Sequence, residues 1–230
     1  MRILFLLVIL SVASALQSQV VVKENMIQSK SAFPLVTSNT KAAVVYDADD
    51  YLVVQKTAEL FVADVESVTG KQLRLTDTVK GDKEIIVVGT IEKNRLIRQL
   101  AEKGKLDISP LEGAWERYLI QTVSRPFPGV SKALVIAGSD RRGAAYGLFS
   151  LSELIGVSPW YWWADVPAKK HKTLYVDAPA TLSKTPSVKY RGIFLNDEDW
   201  GLKPWAAKTF EKERGNIGPR TYAKICELLL

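Results

Sequence analysis

Cysteine and histidine are almost missing: the 230-residue chain holds one of each, Cys226 and His171. A lone cysteine rules out an intramolecular disulfide framework. One histidine rules out, within this chain, a zinc site of the usual His/Cys kind and a Ser-His-Asp triad. Nor is charge of one sign in large excess, since 31 Lys and Arg stand against 25 Asp and Glu, giving +6. No basic block of the kind that marks a nucleic-acid arm occurs, so a nucleic-acid partner is not expected. Beyond the first ten residues no apolar run approaches the roughly 20 residues that span a bilayer. What remains is a globular balance, 47% hydrophobic and 24% charged, which excludes wholesale disorder. No metal or cofactor is expected.

The two rare residues themselves read as structural. Cys226 lies in the apolar run Ile225-Cys226-Glu227-Leu228 and is expected to be a small buried hydrophobe. His171 sits between lysines, in Lys169-Lys170-His171-Lys172, and is expected in a solvated turn.

The N-terminus reads as a leader rather than as part of the fold. Arg2 precedes the apolar run Ile3-Leu4-Phe5-Leu6-Leu7-Val8-Ile9-Leu10 and then Ala13-Ser14-Ala15. A basic start, a short apolar core and an A-x-A site predict a secretory signal peptide over 1–15, cut after Ala15. The mature protein is then expected to be exported, periplasmic or extracellular, with no membrane attachment after cleavage.

Residues 16–40 read as an N-terminal extension, and from 41 onward short β-branched runs alternate with helical periods. Strands are expected at 42–46, 72–76, 84–88, 117–123 and 133–137. Val54, Ala58, Phe61, Val65 and Val68 share one helical face that Gly70 stops, and further helices are expected at 93–102 and 141–155. The proline-rich link Pro126-Phe127-Pro128-Gly129 between two adjacent strands predicts a hairpin, hence a mixed sheet. Residues 41–180 are therefore expected to form an α/β sandwich domain.

After a Lys- and Pro-rich boundary the chain restarts at 187 with a strand over 188–195, a polar loop and a helix over 222–230. That helix closes on three leucines, and an apolar helix end needs something to bury against. The expectation is a piece of a longer protein, with 187–230 as the first β/α unit of a truncated (β/α)8 barrel.

Three local patterns bear on chemistry. Gly138-Ser139-Asp140-Arg141-Arg142-Gly143 follows a strand and opens a helix, as phosphate loops do, but Ala144-Ala145 stand where Lys and Ser/Thr would hold phosphate and magnesium. A tight turn capped by Ser139 or Asp140 is expected instead. Trp160-Tyr161-Trp162-Trp163 cannot all point inward from one element, so some of them face another domain or a ligand. Domain packing is favoured, with Trp160 or Tyr161 as the contributor to a sugar site. Asn196-Asp197-Glu198-Asp199-Trp200 places three carboxylates at a strand end. Barrel enzymes collect catalytic groups at such ends, and paired carboxylates suit glycoside hydrolysis. Asp197 and Asp199, two apart on a strand, can share a face about 7 Å apart.

Together the blocks 138–147, 158–167 (Ser158-Pro159-Trp160-Tyr161-Trp162-Trp163) and 190–198 (Tyr190-Arg191-Gly192 to Glu198) resemble the N-terminal part of glycoside hydrolase family 115. The resemblance implies an accessory α/β domain followed by a (β/α)8 catalytic barrel. It also implies an inverting α-glucuronidase that removes (4-O-methyl-)glucuronic acid from xylan. Glucuronoxylan or a related uronic-acid-bearing polysaccharide is then the expected partner. The implied catalytic acid and base lie beyond Leu230, so the catalytic residues are not assigned here and this chain alone is expected to be inactive. Asn196, Asp197 and Glu198 are carried over as lining that binds the glucuronosyl group, and Asp199-Trp200 departs from the family pattern. Two rival readings stay open: a carbohydrate-binding module using the Trp160 to Trp163 platform, and the N-terminal part of a hexosaminidase-like enzyme.

Overall fold

The computed structural model describes residues 19–229, so the signal peptide expected over 1–15 lies outside the described residues. Two sheets organise the chain. Strands β3 (Ala43–Val45), β4 (Leu75–Thr76), β5 (Glu84–Thr90), β6 (Tyr118–Ser124), β7 (Lys132–Gly138) and β9 (Thr181–Leu182) form the larger, in the order β4-β3-β5-β7-β6-β9. β4, β3, β5 and β7 run parallel, while β6 and β9 join antiparallel. The sheet is mixed, as the proline-rich link implies: β6 and β7 pair from Tyr118 opposite Gly138 to Ser124 opposite Lys132.

The parallel strands are apolar on both faces because both faces are covered. Ile86 and Val88 of β5 point with Leu134 and Ile136 of β7 toward helices α1 (Leu52–Thr69) and α3 (Arg141–Leu154), which contribute Phe61, Val65, Leu148 and Leu151. Ile85, Val87 and Val135 point the other way, onto Ile97 and Leu100 of α2 (Arg95–Glu102). The helix ends are chemically specified. Asn94 caps α2 by accepting from the Ile97 N–H, and α1 ends at Gly70, whose φ of 69° suits the left-handed position that closes a helix.

Within the stretch read as an extension over 16–40, residues 32–36 belong to the core. β1 (Val21–Lys23) and β2 (Ala32–Val36) flank β8 (Leu174–Asp177) antiparallel in the second sheet, and Phe33 and Leu35 are fully buried. Its partner strand lies about 140 residues downstream, so no local pattern announces the pairing.

Beyond β9 the chain changes character. Residues 188–195 join no ladder among the described residues, where a strand was expected, and the chain bends at Lys189. A strand pattern needs a neighbour to bond with, and none of the described strands borders this segment. A short helix α4 (Leu202–Trp205) passes into a π turn (Ala206–Phe210) where only a polar loop was read, and α5 (Pro219–Leu229) follows. Irregular segment, loop and helix follow one another in the order of one β/α unit. The buried carboxylate of Glu211 accepts from the N–H groups of Gly218 (2.8 Å) and Thr221 (3.1 Å) and from the Thr221 hydroxyl (2.6 Å), satisfying donors at the start of α5. Burial alone would raise the Glu211 pKa, but these hydrogen bonds hold it below the usual value.

Cys226 is exposed, not buried. α5 turns Thr221 and Ile225, four apart, toward the protein, and Cys226 falls off that face. His171 is also not solvated: its side chain is 15% exposed and Nδ1 lies 2.7 Å from Glu24 Oε1. Among the described residues no helix is long and apolar enough to cross a membrane.

Candidate functional site

The turn after β7 is filled by the protein itself. Asp140 Oδ1 accepts from the N–H groups of Arg142 (3.0 Å) and Gly143 (2.8 Å), and its Oδ2 accepts from the Glu116 N–H (2.7 Å). The donors that would hold a phosphate at the start of α3 are therefore taken by a carboxylate. A Cβ on Gly138 would lie 2.1 Å from Ala144 N, so strand and helix approach more closely than any other residue permits. The acidic crest after β3 is equally engaged. Asp47 accepts from Arg95 N and Nε (2.8 and 2.9 Å), and Asp50 accepts from Thr90 N and Oγ1 (2.8 and 2.9 Å).

Asn196 to Gly201 form a tight corner in which Leu202 N–H donates to Asn196 O (2.8 Å) and Gly201 N–H donates to Glu198 O (3.0 Å). A Cβ on Gly201 would meet Asn196 O at 2.3 Å, so the corner closes only on glycine. Asn196 Oδ1 is shielded and accepts no hydrogen bond. Asp197 Oδ2 accepts from the Tyr222 hydroxyl of α5, a bond that pushes the Tyr222 pKa above its usual value. Glu198 is exposed. Asp199 turns to Lys203 (2.6 Å), which holds its carboxyl below the usual range, so Asp197 and Asp199 serve different partners and form no acid/base couple.

The aromatic run divides in the same way. Trp162 and Trp163 pack on Trp205 and Phe210 at centroid distances of 4.7 to 6.0 Å, and Trp163 Nε1 donates to Lys224 O (3.2 Å). These two therefore join the sandwich to the C-terminal segment. Tyr161 donates to Glu227 Oε1 (2.7 Å) and accepts from Lys224 Nζ. Only Trp160, 53% exposed, keeps a ring open to a ligand. Along α5, Lys224 and Glu227 lie roughly 140–200° around the axis from Tyr222, at 100° per residue. Tyr161 and Asp197 thus hold opposite sides of one helix, and the five predicted site residues do not line one cleft.

Sequence reasoning passed over Glu116, Arg142 and Tyr222. Glu116, 6% exposed and at φ 53°, accepts from Arg142 Nη1 (2.6 Å) and from Arg191 Nη2, and Arg191 also donates to Tyr146 Oη (3.2 Å). Burial alone would raise the Glu116 pKa, but the two guanidinium groups hold it lower. Arg191 of the Tyr190-Arg191-Gly192 block therefore clamps the segment over 188–195 to the sandwich, five residues before Asn196. A carboxylate that meets its arginines 26 and 75 residues away leaves no spacing signal.

A cavity of about 410 Å³ lies where α5 meets α1 and α3, lined by Asp64, Tyr118, Tyr146, Ser152, Tyr161 and Glu227. Burial pushes the Asp64 pKa up to about 6, and Glu227 adds to the rise, against the lowering effects of Ser152 and Lys224. Among the described residues no three His, Cys, Asp or Glu side chains converge as for a metal ion.

The model of the family described as glycosyl hydrolase family 115 matches residues 183–230, beginning where the β6–β9 ladder ends. The chain is similar to the structure of a family GH115 4-O-methyl-α-glucuronidase with specificity for decorated arabinogalactans. The two share 36% identity with a TM-score of 0.69, over 86% of this chain and 24% of that one. This chain therefore spans about a quarter of that relative's length. A GH20 β-N-acetylhexosaminidase from Streptomyces coelicolor A3(2) matches at 12% identity and TM-score 0.45, over 83% of this chain and 31% of that one. No curated protein matches the chain in sequence.

Proposed function

The chain belongs to glycoside hydrolase family 115, and from that premise we propose that it is the N-terminal portion of an exported, inverting α-glucuronidase. In this reading the sandwich is an accessory domain, residues 187–230 open the (β/α)8 catalytic barrel, and the catalytic acid and base lie outside this chain. The enzyme removes (4-O-methyl-)glucuronic acid from glucuronoxylan or a related uronic-acid-bearing polysaccharide. The observation that carries the reading is the 36% identity to a 4-O-methyl-α-glucuronidase, together with a family match over the segment that holds Asn196, Asp197 and Glu198.

Asp197 and Asn196 are proposed to bind the glucuronosyl group. Tyr222 fixes one Asp197 oxygen and leaves the other to accept from a sugar hydroxyl, while Asn196, whose Oδ1 is shielded, is proposed to donate from its side-chain amide. Glu198, being exposed, reaches toward the open side of the same corner, and the free ring of Trp160 and the hydroxyl of Tyr161 are proposed to contact more distant parts of the polymer.

Glucuronic acid release from glucuronoxylan and from decorated arabinogalactan tests this. Purified residues 16–230 are expected to release none from either. In the enzyme that carries this chain, Asp197→Ala is expected to cut kcat/KM by about 100-fold or more, whereas Tyr222→Phe, which removes the same bond to α5 and leaves the carboxylate, is expected to keep most of the activity. Near-wild-type activity of Asp197→Ala removes Asp197 from the site.

A further inference from the structure

At the far end of the larger sheet four cations border one pocket. Lys83 precedes β5, Lys103 and Lys105 follow α2, and Arg125 ends the β6 side of the hairpin; together with Phe127 they line a concavity of about 560 Å³ that contains no acidic side chain. Among the described residues none of the four lies within ion-pair distance of a carboxylate, although ten other pairs form elsewhere. Cations at the end of α2 complement that helix's carbonyl end, which accounts for Lys103 and Lys105. Lys83 and Arg125 belong to other elements and gain nothing from it.

The loops beneath the charges are fastened to one another. Ser131 N–H donates to Lys83 O (2.7 Å), Arg125 N–H donates to Ser131 O (2.8 Å), and Val130 N–H donates to Phe127 O (3.1 Å). Lys105 Nζ donates to Arg125 O, tying the α2 exit to the hairpin. Pro126 and Pro128 flank Phe127, whose ring rests partly on the core beneath the pocket. Cations spaced on a rigid frame form a ready receptor for anions, because little order is lost on binding. An aromatic ring beside them adds a platform for the C–H-rich face of a pyranose.

We propose that this pocket is an accessory docking site for a uronic-acid residue of a polysaccharide, with Lys83, Lys103, Lys105 and Arg125 reading the carboxylate and Phe127 the sugar face. The protein's charge is otherwise nearly balanced, which disfavours the long basic stripe that a nucleic acid requires. The site stands about 20 Å from the Arg191–Glu116 clamp, the span of the seven-residue strand β7 at 3.3 Å per residue. A polymer held there is presented repeatedly to a catalytic site at the other end of the sheet.

The nature of the ligand rests on the proposed uronic-acid substrate, but the test reads binding without turnover, so the two readings fail separately. The purified chain is titrated with glucuronoxylan and with the same polymer after its carboxyl groups are reduced. Expected are binding to the first that weakens with added salt, binding at least about tenfold weaker to the second, and a similar loss in the combined K83Q, K103Q, K105Q and R125Q variant at unchanged melting temperature. Charge-preserving K83R and K105R are expected to retain binding. Equal affinity for the reduced polymer, full affinity of the combined variant, or absence of binding overturns the proposal. So does equal or tighter binding to an oligonucleotide or to anionic vesicles.

Discussion

Inside the sandwich the chain buries Phe33, Phe61, Ile86 and Ile136 completely, whereas Val188, Tyr190, Ile193, Phe194 and Trp200 stand exposed to solvent. The residue types are the same in both regions. The difference is a neighbour: β5 has strands on both sides and helices on both faces, while the segment over 188–195 pairs with no strand among the described residues and is tied by the Arg191 clamp and the corner at Asn196. β-propensity is thus a preference for a pleated, covered surface, and without that surface the same residue types form no strand.

The contrast breaks most visibly under truncation of large side chains. Phe61→Ala is expected to cost about 3–5 kcal/mol, from lost burial and the cavity left behind, and to unfold the sandwich at moderate denaturant. Equilibrium urea unfolding followed by tryptophan fluorescence measures this. Phe194, 92% exposed, should tolerate alanine at the opposite extreme.

Next in size comes Asp64. Its folded-state pKa of about 6 lies above the ordinary carboxylate value, so the folded protein holds this proton more tightly than the unfolded chain. The contribution is largest below the unfolded pKa near 4, declines as pH rises to about 6, and stays lost above that. Asp64→Asn is expected to remove this decline and to raise stability at pH 7 by about 3 kcal/mol at most, the order set by moving a carboxyl pKa from near 4 to about 6. Unfolding midpoints of both proteins between pH 4 and 8 check it, and parallel curves would exclude Asp64 as the source.

A smaller and more local effect is expected from Glu116→Gln. Neutralising the carboxylate frees Arg191 and loosens the segment over 188–195, with the sandwich intact. Limited trypsin digestion at Arg191 should then run about tenfold faster, because cleavage follows local opening. The smallest effect is that of Phe194→Ser, within about 0.5 kcal/mol of the parent, as for a surface change remote from caps and pairs.

How far the sequence announced this structure depends on the range of the contacts. Helix α1 follows from the spacing of Val54, Ala58, Phe61 and Val65 and from Gly70, and the β6–β7 hairpin from its prolines, because each signal lies within one element or turn. The cap at Asp140 was legible for the same reason. The pairing of β2 with β8 was not, nor the grip of Glu116 on Arg191, since both join residues far apart by chemistry that many other positions share. At the candidate site the sequence pointed to Asn196 and Asp197. It did not point to Tyr222, an ordinary helical residue until α5 folds back onto the corner.

Helix α5 is held by Tyr161 and Trp163 on the sandwich side and by Asp197 on the other. The division of labour along the chain therefore does not coincide with a safe place to cut it. An exchange of sandwiches between relatives at residue 183 would keep every backbone ladder and still change the seat on which α5 turns. The aim of Asp197 would then be inherited from the discarded partner, so a transferable module has to include the aromatic run and α5 together.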